Sequence, residues 1–165
     1  MPEGAMTDIE SEFTRRFSLR KAVIVPGMVD SEEVLVQDVC AAAAADLPRY
    51  IEDHSAVGVA WGRTMNVLTR NLKTMKREGV IIIQLNGGSS RALYETGATE
   101  VVRAFKNAVG GDGYLLPAPA IVDTPFISDT IKSDSQISSV LMLSKRLKTA
   151  VFSVGAISKQ SVLYE

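Results

Sequence analysis

Residues 80–85 constrain the fold most, because they read Val-Ile-Ile-Ile-Gln-Leu and are apolar on both faces that a strand presents. A strand of this kind has to be buried between two layers, which is the environment of a central strand in a parallel sheet. Gly79 precedes the run, and an Asn-Gly-Gly sequence follows it at residues 86–88. These breaks predict a short strand that ends in a loop.

Other short apolar runs alternate with amphipathic helical patterns along the chain. Strands are predicted at 21–26, 56–61, 114–116 and 149–154, and helices at 31–47, 64–75, 99–109, 125–132 and 135–145. Asp30 is expected to cap the first of these helices, and Pro48 to end it near Leu47. Five strands alternating with helices predict an α/β fold with a doubly wound, mostly parallel, Rossmann-like sheet.

Composition limits the class of protein. The 165 residues are 46% hydrophobic and carry a net charge of −1, which fits one globular domain and excludes a strong overall electrostatic footprint for nucleic acid. The single cysteine excludes an internal disulfide framework, and the single histidine leaves too few ligands for a zinc site of the usual kind. No apolar stretch approaches the roughly 20 residues needed to span a bilayer. We therefore expect a cytoplasmic protein with no membrane partner.

The N-terminal region is expected to lie outside the main domain. Residues 1–6 contain Pro, Gly and Ala, which give the segment little to bury, and they are interpreted as a leader or expression scar. Residues 7–20 carry an amphipathic pattern and are interpreted as a linker helix.

Two predicted strands end in loops with the chemistry of a ligand site. The strand at 56–61 stops at Gly62, Arg63 and Thr64, and the next helix opens there. The first N–H groups of a helix suit an anion, and an arginine adds a planar cation. The alternative is an ordinary turn in which Thr64 caps the helix. Because parallel strands end at one edge, this loop and the loop at 86–88 are expected to meet.

The predicted strand ends lack the side chains that usually act as catalytic acids, bases or nucleophiles. His54 lies in a polar turn away from them, and no pair of carboxylates and no lysine occupies them. Cys40 lies in an alanine-rich helix and is interpreted as a core thiol. Neither loop is a dinucleotide fingerprint or a P-loop. We therefore expect no catalytic residue, no metal and no cofactor, but non-covalent recognition of a sugar or polyol that carries an anionic group.

Four motifs in order carry a resemblance to a known family. They are Gly-Val-Ala-Trp-Gly-Arg-Thr at 58–64, Gln-Leu-Asn-Gly-Gly at 84–88, Leu-Pro-Ala-Pro-Ala-Ile-Val-Asp at 116–123 and Val-Gly-Ala-Ile at 154–157. From about residue 10 to residue 165 the chain resembles the effector-binding domain of SorC/DeoR-type bacterial transcriptional regulators. The resemblance implies a fold of the sugar-phosphate isomerase/deaminase type and a phosphorylated sugar or related metabolite as the effector.

The resemblance also implies roles for individual residues. Three match the loop that holds the effector phosphate: Gly62, Arg63 and Thr64. Three match the next strand-end loop, which faces the sugar: Asn86, Gly87 and Gly88. Thr96 matches a polar effector contact. Some members carry a basic residue where this chain has Asn86, and an amide cannot form a Schiff base, so binding is expected to be reversible.

The chain departs from the family at both ends. The helix-turn-helix domain is absent from residues 1–165, so operator DNA is expected as a partner only through that missing domain. The effector domain of the family continues further, so residues 21–165 are interpreted as its N-terminal portion. A homo-oligomer is expected. Two alternatives stay open: a sugar-phosphate isomerase or deaminase on the same fold, and a purely structural assembly domain.

Overall fold

The computed structural model describes residues 3–27, 30–88 and 97–155. The helices are α1 Glu3–Arg16, α2 Glu32–Asp46, α3 Arg63–Arg70, α4 Ala98–Val109, α5 Pro125–Ser133 and α6 Ser135–Ser144. The strands are β1 Ala56–Val59, β2 Ile81–Gln84, β3 Asp112–Tyr114 and β4 Leu147–Val151. A short 3-10 helix, Leu47–Arg49, follows α2.

The strands form one parallel sheet in the order β3-β2-β1-β4. β1 and β2 pair from Ala56 opposite Ile81 to Val59 opposite Gln84. The chain passes outward from β1 to β2 to β3 and then returns to the other side of β1 for β4. The carboxyl ends of all the described strands therefore lie along one edge, and the strand order reverses beside β1, as in a doubly wound sheet.

Helices cover both faces of the sheet. On one face Val57 and Ile82 pack in a core with Phe105 of α4, together with residues of α2 and α3. On the other face Ile83 packs with Val140 of α6. Ile82 and Ile83 are both completely buried, which explains why residues 80–85 are apolar on both faces. The predicted α/β, doubly wound parallel architecture is confirmed.

The strand predicted at 21–26 is wrong. These residues run as an irregular segment beside α2, where the Lys21 ammonium lies 2.8 Å from Asp46 Oδ1. The backbone N–H of Ile24 donates to the Glu10 carboxylate at 2.8 Å instead of to a neighbouring strand. The described part of the chain thus has four strands, not five, because residues 21–26 direct backbone hydrogen bonding to a side chain and pair with no described strand.

Several boundaries also differ from prediction. Ser31, not Asp30, caps α2, since its hydroxyl accepts from the Val34 N–H at 3.5 Å. The end of that helix before Pro48 is confirmed. The helix predicted at 64–75 stops at Arg70, and beyond it Met75 N–H donates to Ala108 O at the end of α4. β3 lies two residues before the strand predicted at 114–116, and β4 begins two residues and ends three residues before the strand predicted at 149–154.

Helix α1 begins at Glu3, inside the residues interpreted as a leader, and ends at Arg16, before the end of the linker helix predicted at 7–20. Throughout the described ranges, every helix is too short or too polar to cross a membrane.

Candidate functional site

The turn between β1 and α3 is built on a glycine. Gly62 is the N-cap of α3 and has φ 136° and ψ 171°, a conformation that a residue with a Cβ adopts only with strain. The first helical hydrogen bond runs from Asn66 N–H to Gly62 O at 2.9 Å. The N-cap is Gly62 and no described side chain caps this helix, so the alternative in which Thr64 is the cap is wrong. The first N–H groups of α3 remain available for an anion.

Arg63 is the first residue of α3 and its side chain is exposed. Within the described ranges it makes no hydrogen bond or ion pair. Arg63 and Thr64 line a groove of ≈ 670 Å³ between α2 and α3, together with Glu32, Glu33 and Arg70. The guanidinium is therefore free to turn towards an anion, although the two carboxylates of α2 on the same groove attract it in the other direction.

The backbone of Thr64 contacts a buried core residue. The Cys40 thiol donates to the Thr64 carbonyl oxygen at 3.5 Å, and Cys40 is 2% exposed. Burial raises the pKa of the Cys40 thiol, which keeps it protonated. The prediction of a core thiol is confirmed, and its contact attaches α2 to the first turn of α3.

The loop at Asn86, Gly87 and Gly88 is paired with the segment that follows β3. Gly88 N–H donates to Ala118 O at 2.9 Å, and Ala120 N–H donates to Gly88 O at 2.8 Å. A Cβ on Gly87 would overlap the backbone of Ala118, whereas a Cβ on Gly88 would meet open space. Gly87 thus permits the close packing of two protein segments, and Gly88 leaves room on the open side of the loop.

The Asn86 side chain contributes an unsatisfied acceptor. Its Oδ1 atom is buried and has no hydrogen-bond partner among the residues that the structure describes. Asn86 and Gly87 also line a cleft of ≈ 320 Å³ that extends towards α5 and α6 and is bounded by Leu116, Ser128 and other residues. A buried carbonyl without a donor is costly, so this amide is suited to accept from a ligand hydroxyl.

Gln84, the last residue of β2, supports this loop and was missed as a site residue by the sequence analysis. Its Nε2 donates to Asn86 O at 2.6 Å, and its Oε1 accepts from Leu116 N–H at 3.2 Å. The only signal in the sequence was one amide inside the apolar run 80–85.

Trp61 connects the two loops. Its indole Nε1 donates to Gly87 O at 2.7 Å, and its side chain is half-buried. The structure thus brings the Gly62 turn beside the Asn86 loop, as the sequence predicted. It does not merge the groove beside Arg63 with the cleft beneath Asn86, because these are separate cavities in the described part of the chain. Thr96 and residues 156–157 of the fourth motif lie outside the described residues.

The strand-end loops have no described cluster of metal ligands and no described side chain with a clearly shifted pKa. Across residues 3–27, 30–88 and 97–155 no group of three or more potential metal ligands gathers. The clear pKa shifts in these ranges belong to Cys40 and Asp46, and neither side chain belongs to the strand-end loops. Backbone N–H groups, amides and one guanidinium can bind a polar ligand at this edge.

The fold and the site together define a class: a doubly wound α/β ligand-binding domain whose polar loops gather at the carboxyl ends of parallel strands. Comparison with known proteins identifies the family. Residues 2–165 match the family model of a sugar-binding domain, and the chain belongs to this sugar-binding domain family. The resemblance to SorC/DeoR-type regulators seen in the four motifs is confirmed by the relatives below.

Two curated relatives are named as regulators. The chain is 25% identical over 149 residues to the deoxyribonucleoside regulator of Bacillus subtilis (strain 168), covering 90% of this chain and 48% of that protein. It is 24% identical over 159 residues to the transcriptional regulator LsrR of Escherichia coli (strain K12), covering 96% of this chain and 47% of that protein. The chain therefore spans about half the length of the curated relatives it matches.

Solved structures share the fold. A domain of a possible sugar-binding transcriptional regulator from Arthrobacter aurescens TC1 superposes with a TM-score of 0.86 at 25% identity, covering 97% of this chain and 62% of that one. The full-length sorbitol operon regulator SorC from Klebsiella pneumoniae gives a TM-score of 0.77 at 20% identity, covering 91% of this chain and 50% of that one. The second likeness is one of fold alone.

Proposed function

We propose that this chain is the effector-sensing part of a SorC/DeoR-type regulator and that it binds a phosphorylated sugar at the carboxyl ends of β1 and β2. One observation carries the proposal: the N-terminus of α3, where Arg63 has no partner and no side chain caps the helix within the described ranges, is joined to the Asn86 loop by the Trp61–Gly87 hydrogen bond. An anion site and a polar, hydroxyl-binding loop thus lie side by side.

The phosphate end of the effector is assigned to Gly62, Arg63 and Thr64. The N–H groups in the first turn of α3 supply donors, and the helix dipole favours negative charge there. Arg63 supplies a charge-assisted contact that no described carboxylate occupies.

The sugar end is assigned to Asn86, Gly87 and Gly88. The buried Asn86 Oδ1 atom supplies an acceptor for a hydroxyl group, and the open side of Gly88 leaves space for the ligand. A polar contact from Thr96 remains part of the proposal through the family resemblance alone.

The role of the whole protein is also a proposal. The curated relatives are about twice as long as this chain and are named as regulators, which supports control of DNA binding through a separate domain. We propose a cytoplasmic homo-oligomer in which the occupied effector site changes the affinity for operator DNA. An enzymatic role has no support from the relatives named above.

Isothermal titration of the 165-residue chain tests the proposal. The panel is ribose 5-phosphate, glucose 6-phosphate, fructose 6-phosphate and glucosamine 6-phosphate, each paired with its unphosphorylated sugar. We expect binding of at least one phosphorylated compound and much weaker binding of its unphosphorylated partner. Binding of none would overturn the proposal.

The same samples address the two alternatives. Isomerised or deaminated product in the titration mixtures would favour an enzyme. Oligomers that form with protein concentration, in a chain that binds no member of the panel, would favour a structural assembly domain.

A further inference from the structure

Gln84 is a buried amide at the edge of the proposed site. It is 5% exposed, and in the described ranges only Ser55 is another polar side chain buried to that degree. The Ser55 hydroxyl donates locally to Glu52 O at 2.6 Å. The Gln84 amide instead joins two separate segments, because its partners are Asn86 O and Leu116 N–H. A buried amide has to be paired, and here the pairing also determines where two loops lie.

The Gln84 side chain extends the sheet where its backbone pairing stops. β2 and β3 pair only as far as Ile83 opposite Tyr114. Two residues further on, Leu116 N–H finds its acceptor in the Gln84 side chain at 3.2 Å. The segment after β3 is thereby kept beside β2, which allows Ala118 to pair with Gly88.

The NH₂ group of the Gln84 side chain determines the course of the Asn86 loop. Gln84 Nε2 lies 2.6 Å from Asn86 O, two residues ahead in the chain. This hydrogen bond holds the backbone of Asn86, whose buried side-chain Oδ1 atom has no partner in the described part of the chain. Gln84 is not part of the turn between β1 and α3 at residues 62–64, to which the phosphate is assigned and which is called the anion turn below.

We propose that Gln84 is a positioning residue of the effector site, which holds the Asn86 loop so that it recognises the sugar part of the ligand and not the phosphate part. This inference rests on the proposed function. It assigns part of the affinity for the sugar to Gln84, a residue that does not contact the ligand. The loop after β1 then binds the phosphate, and the loop after β2, which Gln84 positions, binds the sugar.

Two variants test the proposal. Gln84→Met removes both hydrogen bonds at similar side-chain length. Gln84→Glu keeps an acceptor for Leu116 N–H but places a carboxylate oxygen against Asn86 O. Gln136→Met is the matched control, because Gln136 is an exposed residue of α6. Isothermal titration measures the affinity for two probes: inorganic phosphate, and the sugar phosphate of the panel that binds the wild type most tightly.

We expect both Gln84 variants to lose roughly tenfold in affinity for the sugar phosphate, a size typical of residues that orient a ligating group. Their affinity for inorganic phosphate should stay within about twofold of the wild type, and Gln136→Met should change neither. Urea unfolding of each variant establishes that the fold is intact.

Several results would overturn the inference. Unchanged affinity of both variants for the sugar phosphate would remove the positioning role while leaving the proposed function in place. Equal losses for both probes, or loss of the folded state in both variants, would assign Gln84 to the fold. If the wild type binds no member of the panel, the proposed function fails, and this inference fails with it.

Discussion

The indole nitrogen of Trp61 donates a 2.7 Å hydrogen bond to the carbonyl oxygen of Gly87. Trp61 follows β1 and Gly87 follows β2, and these two strands are neighbours whose last paired residues are Val59 and Gln84. The contact therefore holds together the two loops to which the proposed site assigns the phosphate and the sugar. It ties the position of the anion turn to that of the Asn86 loop.

Replacing Trp61 should destabilise the chain. Trp61→Phe removes the donor and leaves the carbonyl of the buried Gly87 without this partner, which should lower the free energy of unfolding by about 1–3 kcal/mol. Urea unfolding measures the change. Tyr114→Phe, which removes an exposed hydroxyl from β3, is the control and should change stability by less than about 0.5 kcal/mol. Equal stability of Trp61→Phe and wild type would show that the hydrogen bond contributes little.

Trp61 should also report ligand binding, because it is the only tryptophan in the chain. A ligand that contacts both loops changes the surroundings of the indole. We expect a saturable change in tryptophan emission on titration with a sugar phosphate that binds, with the same dissociation constant as calorimetry. An emission spectrum that stays constant while heat is released would place the ligand away from this pair of loops.

The two glycines of the Asn86 loop should respond differently to substitution. In Gly87→Ala the new methyl group overlaps the backbone of Ala118, which cannot move without breaking its bond to Gly88, so we expect a loss of about 1–3 kcal/mol in stability. Gly88→Ala meets open space and serves as the matched control. Thermal and urea unfolding compare the two variants. The prediction is wrong if they are equally stable.

Arg63 should discriminate between charged and uncharged ligands. Loss of a charge-assisted hydrogen bond of about 1.5–3 kcal/mol predicts that Arg63→Ala weakens a sugar phosphate roughly ten- to hundredfold. The affinity for the unphosphorylated sugar should change little. Arg103→Ala, which removes an exposed arginine from α4, controls for the loss of net charge. Equal weakening of both ligands in Arg63→Ala would show that Arg63 has a structural role.

Asp46 should make stability depend on pH. The hydrogen bond from Lys21 holds the pKa of Asp46 below its ordinary value, with Tyr50 and the charge of Arg49 acting in the same direction against the effect of burial. A pKa lowered in the folded state means that the stabilisation is present above the ordinary aspartate pKa and is lost as the pH falls through the folded value.

Asp46→Asn should therefore lower stability near neutral pH by up to about 1 kcal/mol, the range of partly exposed ion pairs. The difference from wild type should vanish in acid. Melting temperatures measured from about pH 7 to about pH 3 would show this, with Asp123→Asn, an exposed aspartate, as the control. A difference that persists undiminished in acid would assign the effect to packing and not to charge.

Much of the sheet was predictable because burial on two faces leaves a local signature. The run at 80–85 became β2, and the run at 56–61 became β1, each shortened by one or two residues at its ends. The apolar run at 21–26 has a similar signature but pairs with no described strand, and its contacts are instead to the side chains of Glu10 and Asp46. The local hydrophobic pattern indicates that a segment is buried. Whether that segment forms a β-strand depends on its contacts with other segments in the folded chain.

The location of the candidate site followed from topology. Once the strands are parallel, the residues after each strand meet at one edge, and Gly62 and Asn86 do so here. The fine structure of that edge did not follow. Nothing local indicates that the Trp61 indole reaches Gly87, that Gln84 bridges to Leu116, or that Gly87 packs against Ala118, because each contact joins residues more than 25 positions apart in the chain.

The amino-acid sequence by itself determined the strand and helix alternation, the parallel sheet with two buried faces, and the two glycine-containing loops at the strand ends, since periodicity, glycine positions and helix caps act over a few residues. Only the tertiary structure decided that Gly62 caps α3 without help from Thr64, that Arg63 has no partner among the described residues, and that Trp61 connects the two loops. These features depend on hydrogen bonds and excluded volume between segments that only the folded sheet brings together.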